Sequence, residues 1–216
     1  MNVTNFFIIV NTTVPSAWIA LVVAFVVAYF AIRLRFGKQV SGVMADSIFY
    51  FIIVWKFSVI VTDFQNVIKA PLSILYFNGG RIGFYLGLLA IIITILVELK
   101  RKNLNKLDLT TLFIGVITIQ AVYQIMMALL NDGSLVAKVM TVLIFSAFTL
   151  LVWGSVQKFE KTPIQLAMLF VAVHIFAASF QPLGIFSLPV ITTLLISLFF
   201  VIINSKENKI VSEDIL

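Results

Sequence analysis

Long apolar runs separated by short polar segments are the main pattern of this chain. A helix needs about 20 mainly apolar residues to cross the hydrocarbon core of a membrane. Runs of about this length recur along the sequence, and the third is short unless its flanks are counted. The pattern predicts an all-α, polytopic integral membrane protein with about seven transmembrane helices. The predicted spans cover residues 16–34, 43–61, 82–97, 109–130, 136–153, 163–179 and 186–203.

The apolar pattern continues almost to the end of the chain. We therefore expect one transmembrane domain over residues 1–216, without a separate soluble domain. Its last part, residues 204–216, is a short polar tail. Because chain ends of this kind are often poorly ordered, we expect the tail to be disordered.

The loops on the two sides of the predicted spans differ in positive charge. Of the 15 Lys and Arg residues, eleven lie in one set of loops, three lie in the other set, and Lys56 lies within a span. Cytoplasmic loops carry the excess of positive charge, so the N-terminus is predicted outside and the C-terminus in the cytoplasm. The cytoplasmic set is Arg33, Arg35, Lys38, Lys100, Arg101, Lys102, Lys106, Lys158, Lys161, Lys206 and Lys209, and the outer set is Lys69, Arg81 and Lys138.

Composition supports a lipid environment and excludes several kinds of chemistry. Hydrophobic residues make up 62% of the chain and charged residues 11%, which is more apolar surface than a soluble domain can bury. The net charge of +6 lies in short loops between apolar runs, so it does not indicate nucleic-acid binding. The absence of cysteine excludes disulfides and thiolate chemistry. One histidine and nine acidic residues offer little material for a metal site, and we expect neither metal nor cofactor.

The loop between the second and third predicted spans is the most informative one. Pro71 interrupts any helix there, and Asn78, Gly79 and Gly80 permit a tight turn beside Arg81. Such a turn is expected to leave backbone N–H groups free, and together with an arginine they would hold a lipid phosphate. The alternative is a simple loop that leads into the third span.

Two ionisable residues lie within predicted spans. Lys56 follows an almost uninterrupted apolar run, and a charge at such a depth is costly enough to suggest a function. The alternatives are a lysine that extends its ammonium group to the membrane surface, or an ion pair with Asp63. His174 lies among apolar residues of the sixth span, where it is either a catalytic group or a hydrogen-bond donor between helices.

Polar residues also interrupt the fourth and sixth spans. Gln120, Tyr123 and Gln124 cluster at helical spacing, and Gln165 and Gln181 lie near the two ends of the sixth span. Such side chains either hold helices together or line a cavity.

The order of these features resembles the bacterial prolipoprotein diacylglyceryl transferase family. Members of that family are inner-membrane enzymes with seven helices, an external N-terminus and a cytoplasmic C-terminus. They transfer a diacylglyceryl group from phosphatidylglycerol to the lipobox cysteine of a preprolipoprotein. The resemblance covers nearly the whole chain and rests on the order and spacing of short motifs. The matching positions are Lys56, Pro71, Ile74, residues 77–80, Tyr85, Gly87, Leu88, residues 120–124, Asp132 and residues 163–166.

The resemblance implies a role in lipoprotein biogenesis in the bacterial cytoplasmic membrane and a site for a phosphatidylglycerol-like phospholipid. Candidate catalytic residues are Tyr85, His174 and Asp132. The implied lipid-binding residues are Lys56, Asn78, Gly79, Gly80, Arg81, Gln120 and Gln124.

The departures from the family pattern fall on its chemistry. Gln124 and Met127 stand where the family has an arginine and an asparagine, and no arginine follows Arg101. Transfer from phosphatidylglycerol leaves a charged glycerol phosphate, which arginine stabilises with a bidentate, permanently charged group and glutamine does not. The resemblance therefore implies a pseudoenzyme.

Three hypotheses follow. The first is a catalytically degenerate relative that keeps a lipid-binding cavity and serves another envelope or membrane protein as a partner or accessory subunit. The second is an active transferase in which Lys56 and Arg81 bind the phosphate. The third is an unrelated small transporter or membrane-assembly factor.

Overall fold

The computed structural model describes residues 3–9, 12–75 and 77–213. Over these residues the protein is almost entirely helical, with one short antiparallel hairpin. Two 3₁₀ turns, Pro71–Leu75 and Gly184–Phe186, lie between helices. The strands are β1 (Phe6–Ile9) and β2 (Thr12–Pro15), and the helices are α1 (Ser16–Phe36), α2 (Lys38–Phe57), α3 (Val59–Thr62), α4 (Phe64–Lys69), α5 (Gly80–Lys102), α6 (Lys106–Leu130), α7 (Leu135–Gly154), α8 (Val156–Lys161), α9 (Pro163–Ala178) and α10 (Leu188–Glu213).

Six segments in the described part of the chain are long and apolar enough to cross a membrane. They are α1, α2 with α3, α5, α6, α7 and the first 18 residues of α10. All seven predicted spans fall on helices, so the all-α class is confirmed. The third span is longer than predicted, at 23 residues. The sixth is α9, whose 16 residues extend about 24 Å, less than the hydrocarbon thickness of about 30 Å.

The polar tail differs from the expectation of disorder. α10 continues from its apolar part to Glu213, so residues 204–213 are helical. The segment contains neither proline nor glycine, and its Lys and Glu residues are good helix formers. Nothing in its sequence therefore ends the helix where the apolar part of α10 ends.

The helices group into two compact units. One unit comprises Met1–Arg35 and Lys106–Leu216, and the other comprises Phe36–Asn105. We call them the large unit and the small unit.

In the small unit, α2 packs closely against α5 along a stripe of glycines. Gly79, Gly83 and Gly87 recur every fourth residue, which places them on one face of a helix. A Cβ atom added at Gly79 or Gly83 would overlap the side chain of Ser58, and one at Gly87 would lie 2.8 Å from Cδ2 of Phe51. Small residues at this spacing let two helices approach closely in a membrane, where packing is a main source of helix association.

An ionic cluster joins the same two helices at their other end. Glu98 is buried, and one of its carboxylate oxygens lies 2.6 Å from Nζ of Lys102. The other accepts a hydrogen bond of 3.0 Å from Arg101. Nζ of Lys102 also lies 3.7 Å from the carboxylate of Asp46 on α2. The buried carboxylate is therefore compensated within the small unit.

The large unit has α6 at its centre. It is the most buried of the candidate spans. Phe113 of α6 stacks on Phe200 of α10 with ring centroids 4.0 Å apart, and Phe148 of α7 stacks on Phe170 of α9. At the other end of the unit, Ala20 of α1 packs with residues of α6 and α7. With these contacts towards both ends and buried residues between them, α6 lies in the interior of the large unit.

Candidate functional site

The small unit holds the first group of predicted site residues, at the corner where α2 ends and α5 begins. The N–H of Gly79 donates to the carbonyl of Trp55 at 3.1 Å. The indole N–H of Trp55 donates to the carbonyl of Gly80 at 3.2 Å. The side chain of Asn78 accepts from the N–H of Gly80 at 2.9 Å. The corner is thus closed by local hydrogen bonds.

This geometry corrects one prediction. The backbone N–H groups of Gly79 and Gly80 were expected to be free for a phosphate, but both donate within the protein. For Gly79 the cause is the close approach of α2, which brings the carbonyl of Trp55 against the turn, and for Gly80 it is the side chain of Asn78 within the turn itself. The N–H groups of Gly79 and Gly80 are therefore not available to an anion.

The cationic side chains of the corner are Lys56 and Arg81. Lys56 is half-buried, one residue before the end of α2, and Arg81 is exposed on the first turn of α5. Tyr85 is 39% exposed and follows Arg81 by four residues, so the two side chains lie on one face of α5. Asp63 accepts hydrogen bonds from the side chain of Asn66. The corner therefore offers a guanidinium and a phenol on one helix face.

The large unit holds a buried polar network that includes Gln124 and His174. Nε2 of Gln124 lies 3.2 Å from Nε2 of His174, and Nδ1 of His174 lies 2.6 Å from the hydroxyl of Thr193. The amide of Gln181 donates to Oε1 of Gln124 at 3.2 Å and to the hydroxyl of Thr141 at 3.1 Å. We call these five residues the buried polar network.

The network joins four helices and the segment that follows α9. Gln124 belongs to α6, Thr141 to α7, His174 to α9 and Thr193 to α10, and Gln181 lies just beyond α9. Each is at most 6% exposed. The network therefore lies in the interior of the large unit.

The hydrogen bonds assign the proton on the histidine ring. Because Oε1 of Gln124 accepts from Gln181, the NH₂ group of Gln124 faces His174 and donates to Nε2. The ring proton then lies on Nδ1, which donates to Thr193. In this arrangement all five members are uncharged, and the ring of Phe145 packs edge-on against His174 at 5.2 Å. The network is a neutral, internally satisfied connection between helices.

No family model, no curated protein and no solved structure matches this chain. The transferase resemblance therefore stays a prediction from the sequence.

The other predicted residues of the large unit lie outside this network's hydrogen bonds. Gln120 is half-buried on α6 and makes a long contact of 3.4 Å to the carbonyl of Pro189. Gln165 is exposed near the start of α9. Asp132 is exposed beyond the end of α6, where its backbone N–H donates to the hydroxyl of Thr4. The resemblance groups Lys56 with Gln120 and Gln124 as lipid-binding residues, but Lys56 belongs to the other unit, so that grouping stays a prediction.

Sequence reasoning missed three residues that the structure makes important. Thr141 and Thr193 complete the network, and Asn131 holds the N-terminal segment against the end of α6. The hydroxyl groups gave a weak signal, because threonine in a membrane helix usually bonds to its own backbone. Asn131 gave a stronger one, as a polar residue directly after a long apolar helix.

Proposed function

We propose that this chain is a multi-pass membrane protein with the scaffold of a prolipoprotein diacylglyceryl transferase but without transferase activity. It binds a phospholipid headgroup at the corner between α2 and α5 and acts as an accessory to another envelope protein. It resides in the bacterial cytoplasmic membrane.

The observation that supports inactivity is that Gln124 is buried and fully engaged in hydrogen bonds to neighbouring side chains. Its side chain stands at the position of the family's arginine, is 1% exposed, and uses both its NH₂ group and its oxygen on His174 and Gln181. Release of glycerol phosphate, the leaving group of diacylglyceryl transfer from phosphatidylglycerol, needs a cation placed where the negative charge develops. The buried polar network supplies dipoles but no cation, so it serves to hold helices together.

The proposed topology has seven spans with the N-terminus outside. Its support is the uneven distribution of Lys and Arg between the two sets of loops. The short helix α9, the sixth of these spans, is included because local thinning of the bilayer accommodates a short helix at modest cost.

The proposed lipid site uses side chains and no backbone amides. Arg81 lies at the start of α5 and Lys56 near the end of α2, and Trp55, which precedes Lys56, donates to the carbonyl of Gly80, which precedes Arg81. Arginine, lysine and tryptophan are typical of the membrane interface, where phosphate groups lie. A phosphatidylglycerol-like headgroup fits this charge.

The purified protein is expected to show no transfer of labelled diacylglyceryl from phosphatidylglycerol to a lipobox peptide. Loss of one hydrogen-bond donor to the transition state typically lowers a rate by about 10²–10³-fold, and here two arginines of the family pattern are missing. An authentic transferase in the same detergent is the control. Turnover that disappears in Lys56→Ala would instead establish an active enzyme with a rearranged site.

Retention of phospholipid through purification is expected to depend on Arg81. Loss of one charge-assisted contact costs about 1.5–3 kcal/mol, so Arg81→Ala should retain phosphatidylglycerol about 10- to 100-fold less well. Mass spectrometry of co-purified lipid measures the effect, and Lys138→Ala, another predicted outer-loop cation, is the matched control. Equal retention in both variants would remove the corner as a lipid site. Solute flux in liposomes containing the intact protein would favour a transporter.

A further inference from the structure

The N-terminal hairpin presents one open, apolar face. β1 pairs antiparallel with β2, with Phe6 opposite Pro15 and Ile8 opposite Thr13. Alternate residues of a strand point to opposite faces, so Phe6, Ile8, Thr13 and Pro15 share one face. Phe6 is 58% exposed and Ile8 is 80% exposed. We call this surface the hairpin face.

The hairpin is fixed to the end of α6. Oδ1 of Asn131 accepts from the N–H of Thr4 at 2.8 Å and from the hydroxyl of Ser16 at 2.7 Å. The side chain of Asn5 donates to the carbonyl of Leu130 at 2.9 Å, and the N–H of Ser16 donates to the carbonyl of Asn5 at 3.1 Å. Asn131 is 1% exposed, so this is a buried anchor. The hairpin is therefore held at the level where α1 begins and α6 ends.

We propose that the hairpin face lies in the interfacial layer of the bilayer, on the side of the N-terminus, and anchors that end of the protein to lipid. This proposal rests on the membrane placement in the proposed function. The hairpin passes directly into the candidate span α1 at Ser16. Four residues of strand extend about 13 Å, and the interfacial layer is roughly 5–7 Å thick on each side. A hairpin tied to two helix ends thus lies within or just above this layer.

The chemistry of the segment favours lipid over a protein partner. No side chain from Met1 to Ile32 is charged, so the segment offers no ionic contact for a specific partner. Large apolar side chains such as phenylalanine are those that interfacial segments bury at the boundary between headgroups and acyl chains. Since the hairpin face has no charged side chain, its insertion is expected to be independent of headgroup charge, unlike the corner that contains Arg81.

Single-cysteine labelling tests the proposal, because the chain has no native cysteine. Ile8→Cys reports on the hairpin face. Leu143, whose side chain is 59% exposed on α7, is replaced by cysteine to report on the helix surface expected to face lipid. Gly133→Cys reports on an exposed loop. Each variant carries an environment-sensitive fluorophore in phosphatidylcholine vesicles. Quenching by a nitroxide on the lipid is compared with quenching by iodide in water.

The expected result is that a shallow lipid nitroxide quenches the label at Ile8 several-fold more than the label at Gly133. Adding phosphatidylglycerol should leave that quenching unchanged. Quenching of Ile8 by iodide would overturn the proposal, and so would shielding from both quenchers, which indicates a protein contact. If lipid quenches Leu143 but not Ile8, the hairpin proposal fails while the membrane placement stands. If it quenches neither, the membrane placement itself fails.

Discussion

Replacing Gly83 with alanine is expected to destabilise the small unit by about 1–3 kcal/mol, the usual cost of forcing an extra methyl group into a packed contact. The same change at Gly42 is expected to be neutral or to stabilise the fold by up to ~1 kcal/mol, because alanine favours a helix more than glycine does. The two glycines belong to the same pair of helices, so they form a matched test.

The difference arises from what each new Cβ atom would meet. At Gly83 it would overlap the hydroxyl of Ser58 and lie 3.1 Å from the carbonyl oxygen of Trp55. Ser58 already donates to that carbonyl at 2.8 Å, so its side chain is held in place. At Gly42 no atom lies within 4 Å of the new Cβ. The clash at Gly83 therefore requires the helices to separate.

Unfolding in mixed detergent, followed by tryptophan fluorescence, measures both effects. Trp55 lies beside the contact and reports on it directly. Adding Ser58→Ala to Gly83→Ala should recover part of the loss, since it removes the hydroxyl but leaves the backbone carbonyl in place. Equal stability of the two alanine variants would show that the glycine stripe does not hold the small unit together.

The helices could be predicted from the sequence because apolar length dictates them. Segments of about 20 apolar residues have few alternatives to a spanning helix, since every backbone group must be satisfied within the segment in lipid. The ends were harder to place. The polar residues after Ile203 continue α10, because no residue there stops a helix. The β-branched residues among positions 6–15 favour strands, but the short hairpin was hidden by the stronger apolar pattern that follows it.

The site could be predicted by residue type but not by arrangement. Gln124, His174 and Gln181 each stood out as polar residues in apolar surroundings, and the structure joins them. Their positions are 50 and 57 residues apart in sequence, and only the rotation of each helix about its axis decides whether they face one another. The prediction of free N–H groups at Gly79 and Gly80 was wrong for a related reason. The sequence of a turn does not show which carbonyl or side chain will accept from those N–H groups.

Replacing Gln124 with arginine is expected to disrupt the large unit strongly, although the transferase family that the sequence resembles has arginine at the corresponding position. The guanidinium would enter a site where the present side chain is 1% exposed and where its partners, His174 and Gln181, are uncharged. An uncompensated buried charge costs about 3–5 kcal/mol. We expect a large loss of folded protein in detergent and no gain of transferase activity.

Two further variants separate charge from lost hydrogen bonds. Gln124→Leu removes the amide without adding charge, takes away the donor to Nε2 of His174 and one of the acceptors of the Gln181 amide, and should cost about 1–3 kcal/mol. Gln120→Arg places the same charge one turn away at a half-buried position and should be tolerated better. The expected order of damage is thus Gln124→Arg, then Gln124→Leu, then Gln120→Arg. Gel filtration and thermal unfolding rank the three variants. A stable Gln124→Arg protein that transfers diacylglyceryl groups would mean that the centre accepts a cation, and the proposal of a closed, neutral network would then be wrong.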